Sequence, residues 1–171
     1  MSGQPTQARW RAMKPGDLRA AIDLADRVHP GLPEEEAVFA DRLRLFPAGC
    51  LVLEDAAGGV AGYAIAHPWT EGAPPKLDTV LGTLPQPADR FFIHDVVVAP
   101  EMRGQGLAAP AVERLLEEAD TTYASAALVS VYGTVPFWTR FGFVEAPDAL
   151  PDGALAAYGR DARFMIRRCE R

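Results

Sequence analysis

The stretch from Arg90 to Ala119 constrains this chain more than any other. Arg90 to Val98 (RFFIHDVVV) is dense in aromatic and β-branched residues and ends at Ala99-Pro100, the pattern of a strand buried in a core. Ala108, Ala111, Val112, Leu115, Leu116 and Ala119 then recur at helical spacing, with Pro110 in the first turn, where its missing N–H costs little. The loop between strand and helix carries Gly104 and Gly106. Glycines there let a ligand approach the backbone closely, and the first unpaired amides of the helix point at the same place, which makes an anion site suited to a pyrophosphate. The loop lacks the lysine and hydroxyl residue of a P-loop, and its glycine spacing does not match the dinucleotide fingerprint. Taken alone, it reads equally as an ordinary tight turn.

The rest of the chain alternates helix and strand patterns. Trp10 to Met13 reads as a first strand, followed by a helix over Leu18, Ala21, Ile22, Ala25 and Val28 and a second from Pro33 to Phe46. Glu34, Glu35 and Glu36 read as a helix-capping, solvated acidic run, with Arg42 and Arg44 carried toward the negative end of the helix. Cys50 to Glu54 and Val60 to His67 flank a glycine-rich turn and read as a hairpin. A proline-rich insertion runs from Trp69 to Asp89, and Ala126 to Val131, Phe143-Val144 and Arg163 to Arg168 complete the strands. A chain of 171 residues holds one domain, with residues 1–8 as a flexible tail and 9–171 as the folded unit.

The loop from Arg103 to Ala108 resembles the GCN5-related N-acetyltransferase family, whose pattern of arginine or glutamine, two residues, glycine, one residue, then glycine or alanine is met by Arg103, Gly106 and Ala108. A second element of that family, an aromatic pair shortly before Gly-Phe, is matched by Phe137-Trp138-Thr139-Arg140-Phe141-Gly142-Phe143. The resemblance spans about Arg9 to Arg168. It implies an α/β fold with a mixed, mainly antiparallel sheet, splayed between the strands ending at Val98 and Val131 and flanked by helices on both faces. Acetyl-CoA would lie in the wedge, its pantetheine along Val96, Val97 and Val98 and its pyrophosphate on Arg103, Gly104, Gln105, Gly106, Leu107 and Ala108, with Trp138 nearby.

The implied reaction is direct attack of the primary amine of a small metabolite on the thioester, and it needs a proton acceptor near the wedge. His94 is similar in register to the bases of arylalkylamine acyltransferases, and Asp95 is the second candidate. Strict alternation would put Phe92, His94, Val96 and Val98 on one strand face and Ile93, Asp95 and Val97 on the other, unless a bulge intervenes. Trp138 stands where the family often has a thiolate-protonating tyrosine, and indole cannot act as that acid, so Tyr132 is the nearest substitute. Trp69, at the mouth of the insertion, is a candidate acceptor wall. His29 reads as a helix terminus and His67 as a strand end lining the substrate mouth. The alternative function is a non-catalytic acyl-CoA-binding or regulatory module that keeps the wedge without the chemistry.

A net charge of −6 supplies no basic field for nucleic acid or anionic lipid, and no apolar run reaches the length of a bilayer span. Cys50 and Cys169 are far apart with no ligand-spaced histidine, so no metal and no disulfide framework are expected. A cytoplasmic location, with a homodimer possible, completes the expectation.

Overall fold

The computed structural model describes residues 7–170. Seven strands form one sheet: β1 (Arg9–Ala12), β2 (Cys50–Glu54), β3 (Val60–Trp69), β4 (Arg90–Val98), β5 (Ser125–Ser130), β6 (Val144–Glu145) and β7 (Arg163–Arg168). Their order is β1-β2-β3-β4-β5-β7-β6, and among them the pairing of β4 with β5 alone is parallel. That pairing requires a crossover, which helix α3 (Ala108–Thr122) supplies. Helices α1 (Leu18–Val28) and α2 (Glu36–Leu45) cover the opposite face, and the short α4 (Val135–Thr139) follows β5. The expected tail at residues 1–8 lies mostly outside the described residues.

Each face of the sheet has its own core. On one, Ala21, Ile22, Val38 and Phe39 pack against Val52, Tyr63, Ile65 and Val97. On the other, the helical stripe of α3, from Ala111 to Ala119, packs against Leu51, Ala64, Phe91 and Ile93. Helices on both faces bury both sides of β3 and β4, which is why these strands are apolar almost throughout.

The alternation expected along β4 fails at one residue. Ile65 of β3 faces Asp95, but Ala66 faces Ile93, so His94 is an extra residue in a β-bulge. Beyond the bulge Asp95 and Val97 turn toward α1 and α2, while Val96 packs on the α3 side. His94 therefore does not share a face with Val96 and Val98. It faces α2, edge-on to Phe39. The register of β4 with β5 runs from Arg90 opposite Ser125 to Ile93 opposite Leu128 and ends there. A bulge bends and twists the strand that carries it, and here it coincides with the point at which β4 leaves β5.

Helix α2 starts later than its acidic run suggested, at Glu36. Asp41 and Arg42 are buried, not solvated. The Asp41 carboxylate accepts the N–H groups of Leu81 and Gly82 at 2.8 and 3.1 Å, and Arg42 Nη1 donates to Asp41 and to the Thr79 carbonyl at 3.0 and 2.9 Å. The proline-rich insertion is thus clasped to α2. A buried ion pair is tolerated when hydrogen bonds also satisfy it, and the exposed backbone of a long insertion is what offers those bonds.

Gly49 leads into β2 with its Cα against the neighbouring strand: a Cβ there would lie 2.0 Å from the Ala66 carbonyl oxygen. Backbone cannot yield as a side chain does, so Gly49→Ala should destabilise the fold by about 3 kcal/mol or more. Urea unfolding checks this, and an unchanged midpoint would contradict the packing described.

Candidate functional site

The divergence of β4 and β5 opens a cleft of about 730 Å³. Its long wall is the end of β4. The Ala99 N–H donates to Ala61 across β3 at 2.8 Å, so by alternation the peptide groups of Val97 and Ala99 serve β3, and those of Val96 and Val98 point into the space that β5 has left. An extended ligand can pair there as an added strand. Of these groups the Val98 carbonyl already accepts from Arg103 Nε at 3.3 Å.

At the outer end, Gly104 and Gly106 take φ values of 81° and 71°, the left-handed region that glycine enters without strain. A Cβ at either position would meet nothing within 4 Å. The loop is therefore an open cradle at the start of α3, whose first amides lack helical partners. Arg103 and Arg140 also line the cleft. Trp138, nearly buried, packs edge-on to Phe137 and Phe143 and forms part of the wall. This donor set suits a diphosphate joined to an extended chain.

At the inner end the bulge brings two histidine–carboxylate pairs together. His94 Nε2 lies 2.7 Å from Glu34 Oε1, and His29 Nε2 lies 3.0 Å from Asp95 Oδ2. The Tyr63 hydroxyl also donates to Asp95 Oδ2, at 2.6 Å. Burial pushes Asp95 and Glu34 up, but the bonds and charges of His29 and Tyr63 on the first, and of His94 on the second, outweigh it and hold both carboxyls below their usual range. Burial likewise pulls His29 down, and the Asp95 carboxylate more than reverses it, so His29 is raised. A second cavity of about 40 Å³ opens here, sharing His29, His94 and Asp95 with the cleft.

His29 is the residue that sequence reasoning missed. It ends α1 and looks like a dipole-favoured cap, and only folding brings it to Asp95, 66 positions away. Glu34 was hidden in the same manner inside an acidic run that reads as solvated surface. Tyr132 stacks on His29 with ring centroids 5.4 Å apart, and its backbone has a φ of 55°, a strained value for a residue with a side chain. Both rings line the cleft.

Other candidates fall outside. Gln105 is exposed and its neighbours, not it, line the cleft. Trp69 lines neither cavity: its indole N–H donates to the Ala73 carbonyl at 3.1 Å and its ring packs toward Phe92, so it anchors the insertion. Leu77 is the insertion residue that reaches the small cavity. His67 is wholly buried beside Trp69 and Phe92 instead of at a mouth, and burial pushes its imidazole down to about 3. No group of three or more His, Cys, Asp or Glu side chains is placed to hold a metal ion among the described residues. Nor does any described helix have the length and apolarity to cross a membrane.

A family model described as acetyltransferase (GNAT) family matches residues 18–143. No curated protein matches the chain in sequence. Among solved structures, Ard1 from Thermoplasma volcanium is 17% identical with a TM-score of 0.72, over 97% of this chain and 100% of that one. Naa20 from Chaetomium thermophilum, in complex with a bisubstrate analogue, is 20% identical with a TM-score of 0.68, over 94% and 86%. YhbS from Escherichia coli, in complex with CoA, is 23% identical with a TM-score of 0.60, over 98% and 84%. At these identities the likeness is one of fold.

Two measurements probe the geometry. Gly106→Val would place a branched side chain in the open cradle at a φ it resists, so CoA affinity by calorimetry should fall several-fold in a protein that stays folded. Unchanged affinity would move the anion elsewhere. Asp95→Asn removes the charge that raises His29 and leaves burial, which lowers it, so the midpoint of the His29 ring titration by NMR should move down. An unmoved midpoint would show the pair uncoupled.

Proposed function

We propose that this chain, which belongs to the acetyltransferase (GNAT) family, transfers an acetyl group from acetyl-CoA to the primary amine of a small metabolite. The observation that carries this reading is the join of two features: an open glycine cradle beside Arg103 in the cleft, and the Asp95 carboxylate shared between the cleft and the small cavity that Glu34 also lines. The first suits the phosphates of CoA, and the second suits an ammonium ion. The CoA complex of YhbS, which shares the fold, supports the choice of donor.

In this reading the diphosphate rests on the amides of the Arg103 to Ala108 loop, and the pantetheine pairs with Val96 and Val98. The acceptor arrives as an ammonium ion and must lose a proton before its lone pair can attack. His94, oriented by Glu34, takes that proton. The neutral nitrogen then bonds to the thioester carbonyl carbon, the C–S bond breaks, and the electron pair leaves on sulfur. Tyr132 protonates the thiolate. Burial and the nearby Asp95 charge raise its phenol above the ordinary value, which keeps the proton in place until the sulfur needs it. The surplus proton on the acylated nitrogen returns through solvent to Tyr132, His94 releases its own, and the products are the N-acetylated amine, CoA and one proton.

Thiol release from acetyl-CoA across a panel of amines tests the reading. His94→Gln should lower kcat by roughly 100-fold while leaving acetyl-CoA affinity near that of the parent, because the cofactor meets β4 through backbone. Full turnover in His94→Gln with loss in Asp95→Asn would pass the role of base to the Asp95–His29 pair. Tight acetyl-CoA binding with no thiol release for any amine would make the chain an acyl-CoA-binding module instead.

A further inference from the structure

We infer that the small cavity beyond the bulge is the acceptor pocket, and that it is built for a short aliphatic amine bearing no carboxylate. The inference rests on the acetyltransferase reading above and names its acceptor class. The cavity joins the cleft at His29, His94 and Asp95, the point at which the β4 wall turns, so an amine held in it faces the inner end of the wedge.

Its walls are of two kinds. Leu32, Leu77, Val129 and Val131 are aliphatic, and Glu34 and Asp95 are acidic, while no lysine or arginine lines it. With both carboxylates ionised, the two histidines can at most cancel them: the pocket is anionic when either imidazole is neutral and uncharged when both are protonated. No protonation state of this set offers a surplus positive charge. Arg42 on α2 bonds through Nη1 to Asp41 and the Thr79 carbonyl, with Nε and Nη2 buried without partners, and Arg103 lines the adjoining cleft near enough to act on His29, but neither lines the pocket. A carboxylate next to the reacting amine would thus be stripped of water and placed against like charge, a combination that discriminates strongly between ligands.

Size is limited by the same elements. About 40 Å³ is room for roughly three water-sized groups. The roof does not lift easily: the Tyr158 hydroxyl donates to the Pro75 carbonyl at 3.0 Å, tying the segment before β7 to the insertion. Asp78 ties the insertion to the residues before α2, its N–H donating to Glu34 at 3.2 Å and its carboxylate accepting from the Glu35 N–H at 2.7 Å. An isopropyl group fits these limits, with the amine carried at the mouth of the cavity, and a polypeptide does not.

The test compares matched acceptors in the thiol-release assay at about pH 8: isobutylamine, valine (the same skeleton with a carboxylate) and a tetrapeptide amide. Isobutylamine should exceed valine in kcat/KM by roughly 100-fold, the scale at which like-charge juxtaposition separates ligands, and should exceed the peptide amide as well. Glu34→Gln removes one like charge, so the isobutylamine-to-valine ratio should shrink at least about tenfold. A loss of catalysis common to both acceptors cancels in that ratio. Leu77→Ala, which enlarges the pocket without touching its charge, should raise kcat/KM for hexylamine relative to isobutylamine and leave the valine ratio alone. Equal or better use of valine or of the peptide amide overturns the inference and leaves the acetyltransferase reading standing. Absence of thiol release with every acceptor, in protein that binds acetyl-CoA, overturns both.

Discussion

One extra residue in β4 organises the rest of this molecule. The bulge at His94, which bends the strand that carries it, falls where β4 and β5 cease to pair. The strands part after Ile93 and Leu128, and the backbone of Val96 and Val98 faces open space. The same bulge puts consecutive polar residues, His94 and Asp95, toward α1 and α2, where regular alternation would have sent one of them into the α3 core. A single local departure therefore falls at the opening of the cleft and supplies the titratable groups at its inner end.

Each buried charge here has at least one stated partner, although Arg42 Nε and Nη2 and His29 Nδ1 have none. Asp95 is held by His29 and Tyr63, Glu34 by His94 and the Asp78 amide, and Arg42 by Asp41 and a carbonyl of the insertion. All three sets join elements that are remote in sequence, so the polar network also fixes where the insertion lies. The insertion cannot then be treated as an idle loop. Its clasp to α2 is what brings Leu77 to the small cavity. Its dominant aromatic, Trp69, pins the loop through the Ala73 carbonyl and lines neither cavity.

The local codes were readable from the residues. Periodicity located α1, α3 and the central strands, and the glycines at 104 and 106 both take positive φ. Such features depend on neighbours a few positions apart: a helical stripe, a proline in a first turn, a glycine at positive φ. The resemblance carried by Arg103 to Ala108 and by Phe137 to Phe143 belongs to the same class, and the family match over residues 18–143 agrees with it.

What the tertiary structure alone decided is how distant polar groups pair. Alternation is a rule about an unbroken ladder, and nothing in RFFIHDVVV announces that His94 is the residue the ladder omits. Glu34 reads as helix-cap surface and His29 as a helix terminus because both readings are local optima. Each is overridden by a partner that arrives only when α1 and α2 pack on β4, where a shielded ion pair or hydrogen bond outweighs solvation of either group alone. The chain by itself thus specified its sheet, its helices and its glycine loop, since short-range sterics and periodic burial determine those. Which side chains meet in the wedge was left to packing, because hydrogen bonds across dozens of residues exist only once the fold has closed the distance.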